Sequence, residues 1–213
     1  MEFTSATMDS WERFYRANFV NSLSGFKAAS LIGTVNEQGQ PNLAIFSNLV
    51  HLGADPALVG YVNRPVEAAP HTLANIRATG VYTVNHIHPA LVARAHQTSA
   101  KYPANVSEFE AVGLTPEYID GLRAPFVKEA RVKFALSLQT IIPIELNQTF
   151  FVIGKIEHVL VADDLVEPDG FVALERGGSV CSTGLDAYYL PQPLGRYAYA
   201  KADLPPRRLD ELA

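Results

Sequence analysis

The amino-acid sequence predicts a mainly β, α+β chain: an antiparallel β-barrel with inserted and flanking helices. Three observations carry that reading. Short apolar segments recur in hairpin order at 27–35, 43–47, 57–62 and 81–87, with turn residues between them. Residues 131–146 show a period of two: Val132, Phe134, Leu136, Leu138, Ile142, Ile144 and Leu146 share one parity, and Arg131, Lys133, Ser137, Gln139 and Glu145 share the other. Alternation of strands with helices is not sustained, which counts against a doubly wound α/β sheet.

Taken in order, residues 9–20 place Trp11, Phe14, Tyr15 and Phe19 at helical spacing behind Asp9 or Ser10 as cap. KAASLIGTV (27–35) and LAIFS (43–47) flank a polar turn, where Gly39 is available for positive φ, and make a hairpin. ALVGYV (57–62) is a buried strand after the turn Ala54-Asp55-Pro56. HTLANIRATG (71–80) is a short helix, opened by His71 or Thr72 after Pro70 and closed by Gly80. VYTVNHI (81–87) returns as a strand. The long strand 131–146 has one wet face, and Pro143 places its end at an edge or a bulge, because proline cannot donate to a ladder. TFFVIGKIEHVLVA (149–162) follows a short turn and pairs antiparallel with it. Residues 88–100 read as helix and 101–130 as loop with short helices, so 88–130 is a helical insertion. Beyond 164 the chain is punctuated by Gly and Pro and ends in a polar tail. With no internal repeat and no credible boundary, one domain over 1–213 is expected.

Composition narrows the function. Of 213 residues, 48% are apolar and only 18% charged, below the ~25% norm. With 9 Tyr and 11 Phe the chain is not disordered, and its sparse charge points to surface buried in an oligomer. The balance of 17 Lys+Arg against 22 Asp+Glu, net −5, offers neither the clustered positive charge that nucleic acid requires nor a polybasic membrane patch. No apolar run approaches the ~18–20 residues of a membrane span, and residues 1–24 hold no signal-peptide core. The one cysteine, Cys181, cannot close an internal disulfide and reads as a small buried hydrophobe, so a reducing, cytoplasmic setting is expected.

Motifs that announce side-chain chemistry are missing. There is no G-x-G-x-x-G, no G-x-x-x-x-G-K-[ST], no H-E-x-x-H, no C-x-x-C and no G-x-S-x-G. His86 and His88 alternate at a strand end, where they could ligate a metal or simply face water. If the chain is an enzyme, a cofactor has to carry the reaction.

The runs GTVNEQGQPNLAIFSNLVHLGADPALVGYVNRP (33–65) and HTLANIRATGVYTVNHI (71–87) resemble the flavin reductase-like, FMN-binding split-barrel family, which includes the flavoredoxins. The carrying pattern is G-x-P-N with a following Ser, then D-P-x-L, then R-P…T-x-x-N-I-x-x-T-G-x-x-x-x-N. SEFEAVGLTP (107–116), APFVKEA (124–130), VIGKIEHVLV (152–161) and GLDAYYLPQPLGRYAYAK (184–201) resemble its later blocks. The resemblance implies a six-stranded antiparallel split barrel, a homodimer, and FMN near the subunit interface. It further implies an oxidoreductase passing hydride from NADH or NADPH to flavin, or electrons to a partner. The alternatives are a non-enzymatic FMN-binding electron carrier or redox sensor, or a barrel without cofactor.

By that resemblance Arg64, His71 and Thr72 match the phosphate-contacting segment. Arginine and the N–H groups of a helix start suit a phosphate dianion, provided the loop between them folds back. Relatives often carry a Lys-Asp-Thr triplet where this chain has Pro70-His71-Thr72, which makes His71 the replacement donor. A helix cap and a solvated charge would account for the same residues. Ser47, Asn48 and Leu49 follow a strand, and their N–H groups could meet the pyrimidine edge of the ring, where charge gathers on reduction. Asn42 and Phe46 precede them on the same strand, and Asn63 precedes Arg64; a polar hairpin end is the plain alternative. Ser99, Tyr102 and Arg196 lie in family-like blocks and are further cofactor-binding candidates. The 88–130 insertion could be a lid over the nicotinamide side or a dimer scaffold. No catalytic side chain is assigned.

Overall fold

Seven strands make one antiparallel sheet in the computed structural model, which describes residues 1–67 and 70–209; the last residues of the polar tail lie outside that range. The chain begins with α1 (Ser5–Asp9) and α2 (Arg13–Leu23). The single helix expected over 9–20 is interrupted because the Glu12 carboxylate accepts from the N–H groups of Phe14 and Tyr15 (2.8 and 3.1 Å) and caps a new helix there. There follow β1 (Lys27–Ala28), β2 (Ser30–Val35), β3 (Pro41–Phe46), β4 (Val50–Ala54), β5 (Ala57–Asn63), α3 (Pro70–Thr79) and β6 (Val81–His86). The insertion supplies α4 (Val92–Gln97), α5 (Glu108–Val112), β7 (Pro116–Glu117) and β8 (Phe126–Val127). The long hairpin β9 (Val132–Ile144) and β10 (Thr149–Val161) comes next, then β11 (Cys181–Thr183) and β12 (Ala187–Tyr189).

The sheet order is β3-β2-β6-β9-β10-β5-β4, with β3 and β4 as its open edges, so the barrel is split rather than closed. Six of these strands are the expected ones. The seventh, β4, pairs with β5 around the Asp55-Pro56 turn; its sequence VHLGA lacks the alternation that would have revealed it. The predicted 27–35 strand is divided at Ala29: β1 leaves the main sheet to pair with β11, while β2 stays between β3 and β6.

Strand β2 is buried on both faces, which explains its unbroken apolar run. Ile32 faces the barrel interior with Phe46, Tyr61, Tyr82, Val84, Leu136 and Val152, and α3 closes that interior with Leu73 and Ile76. Leu31 faces the other way, into a second core with Leu43, Ile87, Leu91, Ala95, Phe109 and Val127. Residues 88–130 are therefore a packed layer over the outer face of β2 and β3, held by buried apolar contacts rather than poised as a lid.

The parity read over 131–146 needs two corrections. Lys133, expected on the wet face, is buried: its ammonium donates to Glu117 at 2.6 Å and to the carbonyls of Val127 and Lys128 at 3.1 and 3.2 Å. The insertion covers that face and supplies the partners a buried charge needs. Further on, Gln139 is the extra residue of a bulge, and the inward parity passes to Ile141, leaving Ile142 47% exposed. Pro143 lies on the arm of β9 beyond its last pair with β6 at Ser137, which is the edge it requires.

Candidate functional site

The polar residues that the sequence singled out fall into two groups, one where the start of β3 meets α3 and one at the exits of β3 and β5. Asn42 and Phe46 share a parity on β3, and Tyr61 and Asn63 share one on β5. Phe46 and Tyr61 meet edge-on inside the barrel at 4.9 Å, so the ring of Phe46 is committed to the core. Asn42, buried at the other end of β3, donates from Nδ2 to Thr72 Oγ1 at 3.3 Å and ties the first turn of α3 to the sheet. One turn on, Asn75 donates to Thr34 Oγ1 at 3.1 Å. The helix begins at Pro70 and ends at Gly80, whose φ of +72° suits the terminating residue. Thr72 is thus inside the first turn and serves as an acceptor for Asn42 rather than as a cap.

Asn48 holds the exit of β3. Its Nδ2 donates to the Val62 carbonyl at 2.7 Å and its Oδ1 accepts from Val62 N–H at 3.3 Å, so this side chain pairs with β5 as a strand would. Ser47 and Leu49 stand on either side, both half-buried, with Leu49 against the barrel core. At the exit of β5, Asn63 is wholly buried and donates from Nδ2 to the Arg64 carbonyl at 2.8 Å, while its Oδ1 has no hydrogen-bond partner among the described residues. The Arg64 side chain is exposed and makes no hydrogen bond or ion pair among the described residues. Five residues separate it from Pro70.

His71, half-buried, lines a small open cleft with Asn36, Gln40, Asn42, Asn75 and Val106. Behind it stands a residue the sequence reading missed. Glu108, at the start of α5, is buried and accepts from Leu43 N–H at 3.1 Å. Burial pushes its carboxyl up, and the Leu43 bond and the neighbouring His71 act against that rise. No local motif marks it, because the contact joins residues 65 positions apart.

The remaining candidates are placed apart from these two groups. Ser99 is exposed after α4, and the Tyr102 hydroxyl accepts from Gln97 at 3.2 Å; the loop continuing from Tyr102 brings Ala104 and Val106 to the cleft. The Arg196 guanidinium pairs with Asp169 at 2.5 Å and lies 4.0 Å above the Phe171 ring, so within one chain it is occupied elsewhere. His86 is half-buried rather than on an open strand end: Nδ1 lies 3.1 Å from Ser179 Oγ, and burial lowers its pKa to about 4. His88 Nε2 is 3.3 Å from the Glu129 carbonyl.

The chain matches the flavin reductase like domain over residues 23–180. The chain belongs to that family. A candidate flavin reductase with a split barrel domain from Shewanella frigidimarina NCIMB 400 is 48% identical, with a TM-score of 0.91 over 94% of this chain and 100% of that one. Nitrilotriacetate monooxygenase component B from Bacillus cereus shares the fold at 20% identity, with a TM-score of 0.82 over 92% and 98% of the two chains. An FMN-binding protein from Thermus thermophilus does so at 15% identity, with a TM-score of 0.65 over 78% and 86%. The chemistry of the residues at the strand exits and at the start of α3 is compatible with a flavin nucleotide. Arg64, His71 and the first-turn N–H groups of α3, which have no acceptor within the helix, suit a phosphate. The open acceptor of Asn63 suits a hydroxyl or N–H of the same ligand.

Proposed function

We propose that this chain is an FMN-binding oxidoreductase that passes hydride from NADH or NADPH to flavin, or electrons to a partner. One observation carries the reading: an unpartnered arginine follows a wholly buried asparagine with an open acceptor, at the strand exit that leads to the start of α3. When bound, FMN would supply a ring that takes up hydride. The chain's own residues would bind and orient it. Arg64 neutralises the phosphate, His71 donates to it, and Asn42 fixes the first turn of α3 through Thr72 so that its N–H groups are presented without reorganisation. Asn48, locked to Val62, holds the Ser47–Leu49 backbone rigid, so its N–H groups can address the ring edge. Ser99, Tyr102 and the cleft at Val106 would border the far side. No side-chain acid or base is needed, because positioning and electrostatics suffice for hydride transfer.

A homodimer is part of the proposal. Leu146 is 99% exposed at the β9–β10 turn and Phe14 is 71% exposed on α2, apolar surface suited to a second subunit. The free thiol of Cys181 suits a reducing compartment. The absorption spectrum tests the reading. Purified protein supplied with FMN is expected to retain the yellow chromophore through gel filtration and to bleach anaerobically with NADH or NADPH. Bleaching absent with both donors, FMN being bound, would leave an electron carrier or sensor; no retained flavin at all would refute the reading.

A further inference from the structure

The buried acceptor at the exit of β5 has a consequence for which part of the ligand is recognised there. Asn63 has 0% of its surface exposed, and its Oδ1 is without a partner. The orientation of its amide is settled by chemistry: Nδ2 faces the Arg64 carbonyl at 2.8 Å, and the opposite orientation would set two acceptors together. An acceptor buried this way has given up water without return, and natural structures seldom leave such an atom unpaired. Asn63 shares its face of β5 with Tyr61, so it points to the barrel side of the sheet, with Phe150 paired across from it on β10.

A phosphate dianion cannot partner this acceptor, because its oxygens are themselves acceptors and carry negative charge. The missing partner must be an O–H or N–H. In a flavin nucleotide the donors are the ribityl hydroxyls and the ring N–H, and the hydroxyls are the ones next to the phosphate. Arg64, the residue that follows, makes no hydrogen bond or ion pair among the described residues and suits that phosphate.

We propose that Asn63 is the specificity residue for the sugar-alcohol chain of the cofactor, its Oδ1 accepting a hydrogen bond from a ribityl hydroxyl while its Nδ2 holds the Arg64 backbone in place. The inference rests on the flavin reading above and names the part of the ligand that this residue recognises.

Three probes separate the roles: FMN, riboflavin, which lacks the phosphate, and lumiflavin, which lacks both phosphate and ribityl chain. Asn63→Leu is expected to weaken FMN and riboflavin alike, each about tenfold, the worth of one buried hydrogen bond. It should leave lumiflavin unchanged. Arg64→Ala is expected to weaken FMN alone. Equal loss of lumiflavin in Asn63→Leu would show a merely structural role and overturn the inference, as would undiminished riboflavin binding. Wild-type protein indifferent to all three probes would overturn the flavin reading itself, and the inference with it. If Asn63→Leu does not fold, wild-type protein with riboflavin analogues lacking single ribityl hydroxyls decides the matter. At least one analogue should bind about tenfold more weakly than riboflavin; uniform affinity across the series would overturn the inference.

Discussion

His86 makes the stability of this protein sensitive to mild acid, and the size of the effect follows from its surroundings. Its ring lies at the end of β6, edge-on to Phe134 at 6.4 Å, with Ser179 Oγ 3.1 Å from Nδ1. Burial lowers its pKa from 6.5 to about 4. A base whose pKa falls on folding binds more protons unfolded than folded between those two values, so stability rises with pH across the window. The stabilisation is complete above pH 6.5, declines as pH falls from 6.5 to 4, and changes no further below. A fall from 6.5 to about 4, at about 1.4 kcal/mol per pH unit, gives a ceiling of about 3–4 kcal/mol, of which about 2 kcal/mol is lost by pH 5. Urea denaturation of wild type and His86→Gln at pH 7.5 and pH 5 isolates this one group, since every other titration is common to both. Wild type is expected to be the more stable at pH 7.5, and its advantage should shrink by about 2 kcal/mol at pH 5. An advantage that stays constant between the two pH values would refute the reasoning.

Other consequences follow from the same packing. Removing the partner of Lys133 should cost more than removing the charge itself, so Glu117→Ala is expected to destabilise by about 2–4 kcal/mol and Lys133→Met by clearly less in urea melts. Gly154 lies so close to the Tyr82 hydroxyl and to Leu136 Cβ that a methyl group cannot be added without displacement, and Gly154→Ala should cost about 1–3 kcal/mol. Because the Tyr82 hydroxyl is buried without a partner, Tyr82→Phe should be nearly neutral and should recover part of the Gly154→Ala loss. Replacing the exposed Leu146 and Phe14 by Lys should convert a dimer to monomer in sedimentation, whereas a wild type that sediments as a monomer would contradict the proposed assembly.

Elements whose pattern is local were readable from the sequence. Strands β3 and β5, α3 with Gly80 after it, β6 and the β9–β10 pair all stand within a residue or two of the expected bounds, and β2 keeps the expected end at Val35 but begins only at Ser30. Readings that depended on distant partners were not. Period-two alternation cannot reveal that the insertion covers Lys133, nor that Gln139 bulges and passes the inward face to Ile141. Strand β4 has no periodicity of its own and exists through its pairing with β5. At the site, the strand carrying Asn42 and the helix carrying His71 and Thr72 were legible, but the sequence set Asn42 with Phe46 and Ser47, and its bond to Thr72 joins residues 30 positions apart. The lock of Asn48 onto Val62, the open acceptor of Asn63 and the burial of Glu108 arise only when separate segments meet.

The central claim is that Arg64 and His71, at the start of α3, grip the phosphate of a flavin nucleotide. The ratio of FMN to riboflavin affinity, measured by fluorescence quenching in wild type and in the Arg64→Ala/His71→Ala double variant, tests it most directly. The account predicts a strong preference for FMN in wild type and affinities for the two flavins that become nearly equal in the double variant. An unaltered preference for FMN in that variant would place the phosphate elsewhere and contradict the account.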